Sequence, residues 1–133
     1  MPILYNKVER FNPREIEKKR WYPVLKSTGM IKEKEVAKLL AEETTLNPKE
    51  AEMAVSQLLK VVVNLLLGGN TVQLGELGSF RVTAKTEASD KTEEVTAAKI
   101  KKVNVRFTES NDLKNSMKKA KFIDAATLTK QTK

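Results

Sequence analysis

The segment from Asn47 to Phe80 constrains the fold more than any other part of the chain. Its start, NPKE, sets an N-cap asparagine before Pro48 at the first helical position, with Glu50 three residues after the cap. A long apolar helix should follow and end at the glycine pair 68–69. The sequence GELGSF then predicts a short β-hairpin, so we expect an α+β fold.

The predicted central helix is too apolar for one short partner helix to cover. The helix before it, from about Lys32 to Glu43, offers a single apolar stripe made of Val36, Leu39 and Leu40. The central helix has apolar residues on more than one face: Ala54, Val55, Leu58, Leu59, Val61, Val62, Val63, Leu65, Leu66 and Leu67. We therefore expect a second chain to pack against it.

Alternating residues after the hairpin predict a long two-stranded ribbon with one basic face. The first strand sets Phe80, Val82 and Ala84 on one face and Arg81, Thr83 and Lys85 on the other. The returning strand, from Lys99 to Thr108, sets Val103, Val105 and Phe107 against Lys102, Asn104 and Arg106. The tip, from Thr86 to Ala98, is polar and contains Glu87, Asp90, Glu93 and Glu94.

The two ends of the chain are predicted to lie outside the main domain. Segments Ile3 to Phe11 and Arg20 to Lys26 predict an N-terminal β-hairpin within residues 1–30, and Pro23 makes the second of them an edge strand. Residues 31–121 form the main domain, whose last short basic helix is capped by Ser110 or Asn111. Residues 122–133 are expected to be a flexible basic tail.

Composition argues against several classes of protein. The 133 residues include no cysteine and no histidine, which removes disulfides, thiolate metal sites and the commonest general base. We therefore expect no enzyme, no metal, no cofactor and no small-molecule substrate. The apolar run from Val61 to Leu67 is too short to span a membrane, and the N-terminus is charged, so a cytoplasmic protein is expected.

The positive charge lies mainly outside the helical centre. Lysine and arginine outnumber the acids by seven to three in residues 1–30, seven to five in 68–108 and six to three in 109–133, whereas residues 31–67 contain five against six. Basic flanks around a neutral centre favour a polyanionic partner such as nucleic acid. Solubility alone is the other explanation, and the lysines of the last helix can equally form a solvated face.

The order of these elements resembles the bacterial histone-like HU/IHF family of DNA-bending proteins. The resemblance covers about Ile31 to Lys119, and the N-terminal segment KRWYPVLKSTG is similar to the extension of longer HU-related proteins of the Bacteroidales type. The residues that carry it are Leu46, Ala51, Val55, Gly69, Val72, Gln73, Leu74, Gly78, Phe80, Phe107, Leu113 and Lys114.

This resemblance implies an intertwined homodimer whose ribbon arms reach along the minor groove of double-stranded DNA in the nucleoid. The arm differs from the family pattern in ways that affect bending. Thr83 and Ala88 stand where arginines are usual, and the tip lacks the RNPxTG motif whose proline wedges between base pairs. Glu109-Ser110 replaces the usual Pro-Gly before the last helix. We therefore expect weaker bending than in ordinary HU.

Two groups of residues are assigned to the site on these grounds. The residues expected to bind DNA are Arg81, Lys85, Lys99, Lys101, Lys102, Arg106, Lys114 and Lys118. The residues expected in the dimer interface are Val55, Leu58, Leu59, Val62, Leu66, Phe80 and Phe107. The two aromatic residues Trp21 and Tyr22 either cover the body of the domain or stack on a partner.

A second function stays open because the arm motif is missing. The same dimeric fold can act as a protein-interaction or assembly module that does not depend on DNA. The acidic tip and the aromatic extension would then meet a protein partner. Replacing the ribbon lysines separates the two hypotheses, since only the first requires their positive charge.

Overall fold

The fold is described from a computed structural model that covers residues 2–127, with the side chains of all but residues 12 and 15–18. The chain divides into two compact units. One unit is Lys32–Asn115, and the other combines residues 2–31 with residues 116–127. Each unit has its own three-stranded sheet.

The unit Lys32–Asn115 begins with two helices, α1 (Glu33–Glu43) and α2 (Pro48–Leu67). The predicted start of α2 is confirmed, because the Glu50 backbone N–H donates to the Asn47 side-chain oxygen at 2.8 Å. The Asn47 amide in turn donates to the Glu50 carboxylate at 2.7 Å. The helix ends at Leu67 with Gly68 as its C-cap, and Gly69 follows with a φ of 83°, a left-handed conformation that glycine adopts without strain.

Contact between α1 and α2 buries little apolar surface. The only buried residue of each helix is an alanine, Ala37 at 1% exposure and Ala51 at 0%. The stripe predicted for α1 is only partly covered, since Val36 and Leu39 remain exposed and Leu40 is half-buried. The two helices therefore approach at small residues and leave most of their large apolar side chains uncovered.

After α2 come β3 (Val72–Leu74), β4 (Gly78–Thr86) and β5 (Ile100–Glu109), which form an antiparallel sheet in the order β3-β4-β5. We call β4 and β5 the ribbon. Phe80 lies opposite Phe107, and their ring centroids are 4.9 Å apart. The segment between β4 and β5 contains two short 3-10 helices, Thr92–Glu94 and Ala97–Lys99.

The last helix of the predicted domain, α3 (Asn111–Met117), is joined to the sheet through Ser110. The Ser110 hydroxyl accepts the Leu113 backbone N–H at 3.0 Å and donates to the Glu76 carbonyl oxygen. The Ser110 N–H donates to the Leu77 carbonyl at 3.2 Å. Ser110 is thus the N-cap, and the same side chain ties α3 to the turn between β3 and β4.

The other unit contains the predicted N-terminal hairpin, formed by β1 (Ile3–Asn12) and β2 (Glu15–Lys26). The sheet order is β2-β1-β6, so β2 is an edge strand, as Pro23 predicted. The third strand is β6 (Phe122–Asp124), which runs parallel to β1 and pairs with it from Ile3 to Tyr5.

Strand β6 corrects the prediction of a flexible tail from residue 122. Phe122 to Asp124 form a strand because the edge of β1 supplies their backbone hydrogen-bond partners. The Lys- and Thr-rich sequence around them gives no sign of this partner, which lies at the other end of the chain. In the structure, the described residues 116–127 belong with the hairpin. The end of the predicted tail, residues 128–133, lies outside the described residues.

Candidate nucleic-acid interface

The register of the ribbon brings four cationic side chains together on one face. Arg81 lies opposite Arg106, and Lys85 lies opposite Lys102. Side chains of one strand point alternately to the two faces, so these four share a face and the phenylalanine pair lies on the other. Thr83 lies opposite Asn104 between the two cationic pairs.

These pairs set like charges directly against each other. Opposed side chains on antiparallel strands have Cβ atoms about 5 Å apart, and like charges there destabilise a sheet by up to about 1 kcal/mol. Among the described residues, neither arginine and neither lysine of the two pairs has an acidic partner within ion-pair distance. The second pair lies four residues along the strand from the first, or about 13 Å. A face of this kind suits a partner with regularly spaced negative charges.

Two lysines assigned to this face by sequence are not members of the two cationic pairs. The pairing shifts between Lys85 and Thr86, which leaves Lys101 without a partner opposite it on β4. The Lys101 ammonium lies 3.6 Å from the Glu87 carboxylate, so part of its charge is already balanced. Lys99 ends the second 3-10 helix instead of starting β5, and it is half-buried. The break in register at Lys101, which alternation alone cannot predict, separates this lysine from the two cationic pairs.

The two remaining lysines of the predicted set fall in different units. Lys114 is in α3, and its backbone N–H donates to the Ser110 carbonyl at 3.0 Å. Lys118 follows the last residue of that helix and belongs to the unit of the N-terminal hairpin. Only Lys114 is therefore in the same unit as the ribbon.

Thr83 and Asn104 extend the polar part of the basic face, although they were not assigned to the site. The alternation that set Arg81 and Lys85 on one face already includes both residues, so the signal was present in the sequence. Their hydroxyl and amide can donate hydrogen bonds to phosphate oxygens between the two cationic pairs.

The predicted dimer surface of α2 leaves large side chains uncovered within its own unit. Leu58 is 47% exposed and Leu59 is 50% exposed, while Val55, Val62 and Leu66 are half-buried. On the apolar face of the ribbon, Phe80 is half-buried and Phe107 is 46% exposed. The residues predicted for the interface therefore keep apolar surface that their own unit does not cover.

Comparison with protein families identifies the chain. The sequence profile described as an HU domain fused to wHTH, Ig or a glycine-rich motif, HU-HIG, matches residues 1–124. The chain belongs to the HU-HIG family. This confirms the resemblance to HU-like DNA-binding proteins, and the match includes the N-terminal hairpin as well as the unit with the ribbon.

A solved structure supports the same fold. This HU-HIG chain is similar to a candidate bacterial DNA-binding protein from Bacteroides vulgatus, with a TM-score of 0.66 and 14% sequence identity. The similarity covers 92% of this chain and 48% of that one, so the chain spans about half the length of its structural relative. At this identity the comparison establishes the fold. No curated protein matches the chain at a significant level.

A metal site and a membrane-spanning helix are both absent from the described part of this HU-HIG chain. The described side chains of residues 2–127, which exclude those of residues 12 and 15–18, contain no group of three or more acidic, histidine or cysteine residues arranged to hold a metal ion. Within the same residues, every helix is too short or too polar to cross a lipid bilayer.

Proposed function

We propose that this HU-HIG chain is an architectural protein that forms a homodimer and binds double-stranded DNA with little dependence on sequence. The basic face of the ribbon follows the minor groove, with Arg81, Lys85, Lys102 and Arg106 at the phosphates. Lys114 and Lys118 add contacts, whereas Lys99 and Lys101 contribute less. The protein acts in the cytoplasm, on the nucleoid.

The two cationic pairs of the ribbon carry this proposal. Opposing Arg81 to Arg106 and Lys85 to Lys102 costs stability in the free protein, and that cost is removed when phosphates come between the like charges. A solvated surface of the same net charge would not need to place its cations in register. Membership in an HU-like family points to the same ligand.

The proposed dimer rests on the uncovered side of α2. Val55, Leu58, Leu59, Val62 and Leu66 recur at intervals of three and four residues and form one stripe along the helix. An apolar stripe that its own unit covers only in part is best removed from water by the same stripe of a second copy. Phe80 and Phe107 lie on the apolar face of the ribbon and extend the surface that a second copy would bury.

Weak bending follows from the chemistry of the ribbon tip. The described tip has no proline to insert between base pairs, and four acids lie between Thr86 and Ala98. One of these, Glu87, balances the charge of Lys101. The tip therefore attracts phosphates less than the two cationic pairs do, and it has no wedge to stabilise a kink.

The decisive experiment is a salt titration of duplex binding, followed by fluorescence anisotropy. Each lost phosphate contact reduces the dependence of log K on log salt by about 0.9. The double variant R81Q/R106Q should therefore bind more weakly, with a slope smaller by about 1.8 per chain. Because the substitution removes a like-charge pair, the variant should fold at least as well as the natural protein.

The double variant K34Q/K38Q is the matched control. Lys34 and Lys38 are exposed on α1, so the control removes the same charge at a different surface. The proposal is wrong if the two variants have equal slopes, or if the natural protein binds duplex DNA without salt dependence. The assembly module would be favoured instead if the natural protein did not bind duplex DNA and R81Q/R106Q still bound a protein partner as the natural protein does.

A further inference from the structure

The N-terminal hairpin sorts its charged side chains onto two different faces. The register pairs Arg10 with Arg20 and Val8 with Tyr22, and Lys26 lies further along the same face. The other face carries Lys7, Glu9, Lys19 and, from β6, Asp124. The strand residues with described side chains therefore give one face three positive charges and no negative one, and leave the other face neutral.

The neutral face satisfies its own charges. The Lys7 ammonium lies 3.4 Å from the Asp124 carboxylate. The Lys19 ammonium lies 5.3 Å from the centre of the Phe11 ring, a cation–π contact. The lysines of this face are thus paired within the sheet, and the face offers no excess charge to a partner.

The basic face leaves its charges unpaired. Arg10, Arg20 and Lys26 are exposed, and among the described residues none of them has an acidic group within ion-pair distance. Two guanidinium groups in register repel each other, as Arg81 and Arg106 do in the ribbon. Opposed arginines therefore occur both in the N-terminal hairpin and in the ribbon, which belong to different units of the chain.

We propose that the hairpin face of Arg10, Arg20, Tyr22 and Lys26 is a second surface for nucleic-acid phosphates. Two adjacent guanidinium groups can each bind phosphate oxygens in a bidentate manner. Tyr22, which is partly exposed, lies on the same face and has a hydroxyl that can donate to a third oxygen. This surface lies in a different unit from the ribbon, so it goes beyond the function proposed above.

The test is a salt titration of R10Q/R20Q with the full chain and a plain DNA duplex. Loss of two phosphate contacts should reduce the slope of log K against log salt by about 1.8 per chain. The matched control is K7Q/K19Q, which removes the same charge from the neutral face of the same hairpin. Its slope should stay within a few tenths of the natural value, because the proposal places no phosphate at this face. The control should also fold normally, since exposed ion pairs stabilise a protein little.

A second measurement identifies the face that contacts DNA. Trp21 is the only tryptophan of the chain, it is 66% exposed, and it lies on the neutral face beside Glu9. Acrylamide should quench its fluorescence equally well with and without bound DNA. Protection of Trp21 by DNA would move the contact to the opposite face and overturn the proposal.

The outcomes separate this proposal from that for the ribbon. If R81Q/R106Q reduces the slope and R10Q/R20Q does not, the hairpin surface is wrong and the ribbon stands. If only R10Q/R20Q reduces it, the hairpin stands and the ribbon fails. Binding of the natural chain to vesicles of anionic phospholipid but not to duplex DNA would overturn both proposals.

Discussion

Truncating Leu59 to alanine should weaken the proposed dimer without unfolding the unit. Leu59 lies in the middle of the apolar stripe of α2, and half of its side chain is still exposed in its own unit. That exposed half is the part that a second copy can bury. The residue therefore contributes more to association than to the packing of the single chain.

The expected loss of dimer stability can be worked out from the exposed fraction of Leu59. Full burial of a leucine side chain is worth about 1.5–3 kcal/mol, so the remaining half is worth about 0.7–1.5 kcal/mol. A symmetric dimer buries the residue twice, which gives about 1.5–3 kcal/mol for the pair. Since about 1.4 kcal/mol corresponds to a factor of ten, Leu59→Ala should raise the dissociation constant of the dimer about 10- to 100-fold.

Sedimentation velocity over a concentration series measures this shift. The control is Met53→Ala on the same helix, because Met53 is 71% exposed and lies about 160° around the helix from Val55. The control should leave the dissociation constant unchanged. A folded monomer at micromolar concentration, or equal effects of the two truncations, would contradict this prediction.

Two further predictions concern stability and are read by thermal unfolding. Gly78→Ala should destabilise the unit by about 1–3 kcal/mol or more, because Gly78 has a φ of 150° and an added Cβ would overlap the Thr108 carbonyl oxygen. Gly29→Ala is its control, since a Cβ there meets nothing within 4 Å, and a comparable loss in the control would contradict the explanation. Asn47→Ala should cost about 1 kcal/mol through loss of the N-cap of α2, whereas Asn47→Ser, which keeps an acceptor for the Glu50 N–H without placing a second carboxylate beside Glu50, should cost much less. Equal losses in the two Asn47 variants would argue against the cap.

Local signals in the sequence predicted the elements well. The Asn47 cap and the glycine pair bounded α2 because capping and left-handed conformations depend on neighbours a few residues away. The alternation in β4 and β5 also predicted which face carries Arg81, Lys85, Lys102 and Arg106. Both properties follow from chain geometry over short distances.

Other features of the site depend on pairing between distant segments. Lys101 was assigned to the basic face, but the shift in register beside Lys85 leaves it without a residue opposite it on β4. Its ammonium instead lies 3.6 Å from the Glu87 carboxylate. Strand β6 was assigned to a flexible tail because its partner, β1, lies more than a hundred residues earlier in the chain. A prediction from neighbouring residues alone cannot identify Glu87 as the partner of Lys101 or β1 as the partner of β6.

The helices, the ribbon, the basic composition and the family could all be inferred from the amino-acid sequence, since each depends on residue types at short and regular spacing. The opposition of arginines in the N-terminal hairpin and in the ribbon, and the basic and neutral faces of that hairpin, became evident only from the folded chain. They could not be inferred earlier because the charge of a surface depends on strand register. A shift of one residue between two strands would exchange the faces without changing the composition.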